Sequence, residues 1–155
     1  MPPLIAGASM SASNAFETAL LTLIFNNTNL ANVGDATGLR GSTTAGSFYI
    51  GLHTADPGEA GTVTTSEATY TGYARVAVAR SAGGFTISGN SVSNAGVVTF
   101  GACSSGSNTI THFSIGSSSA GAGDLFLSGA LSASLAVSAG ITPSFAIGAL
   151  TATAD

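Results

Sequence analysis

The sequence predicts a mainly β protein: an antiparallel β-sandwich or barrel-like domain, preceded by an extended N-terminal arm and one amphipathic helix. Three observations predict it. From Ser47 onward, short runs rich in Val, Ile, Phe and Tyr are separated by Gly, Ser and Asn, the punctuation of an all-β chain. Apolar residues at helical spacing occur convincingly once, over about residues 14–26. At 155 residues, 45% of them hydrophobic, the chain can bury a core despite its 21 glycines. The expected division is 1–46 for arm, helix and loop, and 47–155 for the β domain.

Residues 1–12 (MPPLIAGASMSA) are small, uncharged and proline-bearing, which suits an extended arm. Docked on a neighbour, Leu4 and Ile5 would be its anchors. The helix follows. Asn14 with Glu17 three residues on fits a capping-box start, with an acid in the first turn. Phe16, Leu20, Leu23 and Ile24 then form one apolar stripe, which Leu21 and Phe25 widen. A helix of this composition is expected to be buried, in its own subunit or in a neighbour's groove. The Asn-, Gly- and Thr-rich segment 26–46 reads as loop.

Phe48–Thr54 is a β-rich run that ends at Asp56-Pro57-Gly58-Glu59. Proline followed by glycine is a type II turn signature, because glycine takes positive φ without steric cost. Residues 73–80 alternate, with Val76 and Val78 on one face and Tyr73 and Arg75 on the other. Gly83-Gly84 and Gly89-Asn90 mark turns around a strand at Phe85–Ser88. Further strands are expected around Val92, Val97–Phe100, Ile110–Ile115, Leu125–Leu131, Leu135–Val137 and Ile141–Leu150.

Charge is scarce. Only 6% of residues are charged and none is lysine, against about 25% in an average globular chain. Arg40, Arg75 and Arg80 face seven acids, for a formal net charge of −4. Such a surface neutralises few phosphates, so no nucleic-acid partner is expected. A P-loop needs a lysine, and the glycine run 116–123 lacks the strand–helix setting of a dinucleotide site. Cys103 is alone, so neither an intrachain disulfide nor a thiolate zinc cluster is expected. It reads as a small buried hydrophobe, an intermolecular disulfide being the alternative. The start has no basic region before its short apolar run. The apolar stretch 19–25 falls far short of the roughly 20 residues of a membrane span. The expectation is a soluble protein without a membrane partner.

The candidate chemistry is thin. His53, Asp56 and Glu59, spaced by threes around a turn, offer ligands to a divalent metal, but three residues do not close a site and an Asp in such a turn commonly caps backbone amides. His112 and Asp124 with one of many serines could compose a triad, yet no G-x-S-x-G elbow is present. The few acids make a carboxylate pair for glycoside cleavage equally unpersuasive. Catalytic residues, metal and cofactor are therefore expected to be absent. Arg75 and Arg80 are open to three roles: pairing with Glu67 or Asp124 inside the domain, an ion pair between subunits, or a solvated sheet face.

Four phrases occur together: SFYIGLHTADPGEAG at 47–61, TYTGYARVAVAR at 69–80, ITHFSIG through GDLFLSGAL at 110–131, and the ending VSAGITPSFAIGALTATAD. The combination resembles a family of small tailed-bacteriophage virion structural proteins, carrying labels such as tail fibre or decoration. The likeness covers residues 14–155. It implies a β-rich virion subunit, made in the host bacterial cytoplasm, that assembles as a homo-oligomer and has no enzyme site. Within it, Gly51, His53, Asp56, Pro57, Gly58, Tyr73, Arg75, His112 and Phe113 would hold turns and strand contacts. Two placements compete. A capsid decoration (cement) protein, a homotrimer bound to the major capsid protein, is favoured because no shaft repeat or heptad pattern is present. A short tail fibre or tail tip engaged in host attachment is the alternative. Contacts with copies or capsid are expected at Leu4, Ile5, Phe16, Leu20, Leu23, Arg75, Arg80, Asp56 and Glu59.

Overall fold

A computed structural model describes residues 11–154. Among the described residues, one helix, α1 (Asn14–Asn26), is followed by nine strands. These are β1 (Ser47–His53), β2 (Val76–Ala79), β3 (Phe85–Ser88), β4 (Ser91–Asn94), β5 (Val98–Thr99), β6 (Ser107–Gly116), β7 (Leu125–Ser138), β8 (Ser144–Phe145) and β9 (Thr151–Thr153). They form a four-stranded sheet ordered β2-β1-β6-β7, a three-stranded sheet ordered β3-β4-β9, and the pair β5-β8. Every named pairing is antiparallel. The sheets pack as a sandwich and close no barrel.

The helix occupies the expected span, but its cap and its inner face differ from the sequence reading. Ser13, not Asn14, is the N-cap, and its hydroxyl accepts from the Phe16 N–H at 3.3 Å. Glu17 therefore falls one residue beyond the capping-box position. The buried residues are Glu17, Leu21 and Phe25, at i, i+4 and i+8. The stripe Phe16-Leu20-Leu23-Ile24 is not the buried one: Phe16 is 47% exposed and Ile24 39%, and Leu20 and Leu23 are half-buried. Packing selected the face carrying Phe25 because that ring reaches both sheets. Its centroid lies 5.3 Å from Phe48 on β1 and 5.1 Å from Phe85 on β3. The helix thus sits in its own subunit, with one flank left open.

The turns are less regular than their sequences. Gly58 has the positive φ (+69°) expected of it, but the Asp56 carboxylate accepts its N–H at 2.9 Å, and the closing backbone bond joins Gly61 N–H to the Gly58 carbonyl. Gly89-Asn90 is a two-residue hairpin loop between paired Ser88 and Ser91, with Gly89 at φ +59°. The two runs expected at Leu125–Leu131 and Leu135–Val137 merge into the fourteen-residue β7, which carries a register shift opposite Thr111. Conversely, the expected strand Ile141–Leu150 yields only the two-residue β8 and turns, and pairing resumes at β9.

Candidate functional site

Two places in the fold bring together residues with chemical or contact potential. The first is a buried polar cluster where β1 and β6 pair. His53 is fully buried and Ser114 1% exposed. His53 Nδ1 lies 2.8 Å from the Thr65 carbonyl and so carries the proton, while Nε2 accepts from the Ser114 hydroxyl at 2.7 Å. The carbonyl partner makes Nδ1 a donor, and burial favours the neutral ring in which Nε2 accepts. Burial, ahead of all other influences, holds its pKa below the ordinary 6.5. Room for the pair comes from Gly51, opposite Ser114 in the ladder: a Cβ there would stand 2.9 Å from the Ser114 hydroxyl.

Beside it, Glu67 is held by the bridge between its backbone and His53. Its carboxylate accepts from Arg75 Nε at 2.6 Å and Nη2 at 2.7 Å, and from the Tyr73 hydroxyl at 3.0 Å. The Tyr73 oxygen in turn accepts the Leu52 N–H at 3.0 Å. Burial raises the Tyr73 pKa, and the hydrogen bonds that Arg75 donates to Glu67 raise its own. Arg75 also donates to the carbonyls of Ser118 (2.8 Å) and Gly121 (2.9 Å), pinning the loop between β6 and β7. Of the roles open to it, Arg75 takes the internal one: it is 8% exposed and offers a neighbour almost no surface.

Chemically, this cluster is saturated. The Ser114–His53 contact is the nucleophile–base geometry of acyl transfer, but a backbone carbonyl stands where an acid would orient the ring, and a substrate has no route to the serine. Sequence reasoning missed the pair, because 61 residues separate its members and neither lies in a motif. His53 does not join Asp56 and Glu59: it points into the core, whereas both acids are exposed. Among the described residues, no group of three His, Cys, Asp or Glu is placed to hold a metal ion. Asp56 and Glu59 instead border the first residues of β7, Leu125–Ser128. His112 is half-buried beside Thr111, whose hydroxyl is 2.9 Å from Nδ1.

The second place is an apolar groove of about 680 Å³ along the open flank of α1. Leu20 and Ile24 form one wall, Phe126 and Leu127 of β7 another, and Ala152–Ala154 a third. Phe126 is 51% exposed. Arg80 lies at the end of the groove, where it serves the helix. Its guanidinium donates to the carbonyls of Ile24 (2.7 Å), Leu23 (3.2 Å) and Ala45 (3.1 Å), and sits 5.6 Å from the Phe48 ring centroid. A cation at a helix C-terminus meets orphan carbonyls and the negative end of the dipole. Of the expected contact residues, Leu20 lines the groove and Leu23 and Phe16 lie on the same outer side of the helix. Leu4 and Ile5 lie outside the described residues.

The fold is thus a β-sandwich with a self-bonded polar cluster at its centre and a partly open apolar groove beside its helix. The chain belongs to the family described as Podophage GP4 fiber I protein gp80, whose model matches residues 11–153. It is accordingly a phage virion structural protein of the fibre type. No curated protein matches the chain. Among the described residues, no helix is long and apolar enough to cross a membrane.

Proposed function

We propose that the chain is a tail-fibre subunit of a short-tailed phage, working by assembly with copies of itself and with its virion neighbours and not by catalysis. The observation that carries this reading is the family match, which runs from the residues before α1 to the end of β9. The saturated polar cluster supports the absence of turnover, since His53, Ser114, Glu67 and Arg75 all bond to groups of the chain itself. The groove supplies an apolar contact surface whose one charged side chain, Arg80, is already bonded to carbonyls of the chain.

Capsid decoration is the second reading, favoured by the compact fold and by uncharged open edges that suit attachment to a shell formed by the major capsid protein. Copy number separates the two. Quantitative mass spectrometry of purified particles, with antibody labelling viewed by electron microscopy, is expected to find a few dozen copies or fewer, at the tail. Hundreds of copies spread over the shell would replace the fibre reading with decoration.

A further inference from the structure

The sandwich is open along one side. Among the described residues, β7 has a strand partner on one edge only, and so does β9. Residues of both strands, Phe126 and Leu127 of β7 and Ala152 and Thr153 of β9, line the apolar groove, and a smaller cavity of about 160 Å³ shares Phe25, Ile115, Leu127 and Ala152 with it. The groove's one formal charge, Arg80, already has its donors on carbonyls. The chemistry that suits it is therefore uncharged and apolar.

Ten residues precede Ser11, and they have that chemistry: MPPLIAGASM carries no charged side chain and places Leu4 next to Ile5. Leu4 is about 30 Å of extended chain from Ser13. To lie along its own helix the arm would have to reverse beside Ser13. Residues 11–13 run into the helix without turn or bend and Ser13 is extended (φ −87°, ψ 151°), so the chain makes no reversal within the described residues. A neighbouring molecule meets no such constraint. We propose that the groove beside α1 is the receiving site for the N-terminal arm of a second copy, with Leu4 and Ile5 as the inserted anchors. The proposal concerns the purified protein and holds for either placement in the virion.

Crosslinking tests it. Leu4→Cys and Ile24→Cys chains, differently tagged, are produced together and oxidised; Cys103 is buried and stays in place. A covalent dimer carrying both tags is the expected product. Failure of the two chains to link, or closure of the disulfide within one chain of the double variant, overturns the proposal. A second measurement leaves the described body untouched. Removal of residues 1–10, or Leu4→Ser with Ile5→Ser, should weaken self-association on the order of a hundredfold by light scattering, with the melting temperature of the dissociated subunit unchanged. Undiminished association of either variant overturns it equally.

Discussion

Arg75 shows how much one side chain holds in a molecule with so few charges. Its guanidinium meets both oxygens of Glu67 and two loop carbonyls, and only 3% of the side chain is exposed. Removing one member of a buried pair strands the other, at a cost of about 3–5 kcal/mol. Arg75→Met should fall at the lower end of that range, because the Glu67 side chain keeps 17% exposure. Urea unfolding measures it, and the double variant with Glu67→Leu should recover most of the loss, since no charge is then left unpaired. A double variant no more stable than the single one would show that the loop anchors, and not the ion pair, carry the effect. The sequence left Glu67 and Asp124 equally open as partners. A long-range fact decides between them: the segment 66–68 runs beside the end of β1, where Thr54 N–H bonds to the Ser66 carbonyl. Similarly, the 53/56/59 spacing suggested convergence that strand geometry forbids, because β1 directs His53 inward before the chain turns out to Asp56.

At the scale of elements, α1 has two apolar stripes, and only one is occupied. Phe25 is 4% exposed and packs on rings from both sheets, so Phe25→Ala should cost about 3–5 kcal/mol. Phe16, on the open stripe, should tolerate serine within about 0.5 kcal/mol. Denaturant midpoints of the two variants check the contrast; similar losses would mean that the outer stripe also belongs to the folding core. The helix limits were legible because periodicity is local. Which stripe turns inward was not, because it depends on where Phe48 and Phe85 come to rest. The short strands were legible where apolar residues alternate. β9 was not, because Thr-Ala-Thr carries little burial signal and is strand only by pairing with β4. The continuity of β7 across Leu131–Leu135 was hidden for the same reason: its register is set by β6.

For the molecule as a whole, scarcity of charge makes pH dependence traceable to few groups. His53 has a folded pKa below its unfolded value near 6.5, so the unfolded chain binds the extra proton. Stability is then fully present above about pH 6.5 and declines as pH falls toward the folded pKa, by at most about 1.4 kcal/mol per pH unit. Asp35, its carboxylate accepting from Thr37 and Gly38, adds a second loss below its ordinary 3.8. Thermal melts from pH 8 to pH 5 should fall with acid, and His53→Gln should flatten that part of the curve. A wild-type profile level between pH 7 and 5 would contradict the buried neutral ring. The loop between β6 and β7 carries a different consequence. Arg75 grips it through the carbonyls of Ser118 and Gly121, and every amino acid has a carbonyl. The grip is blind to side chains, apart from the left-handed backbone that Gly121 adopts at φ +64°. Substitutions at the loop's outward Ser119 and Ala120 should therefore leave its anchorage intact, so the loop's outer face can change while its mount does not.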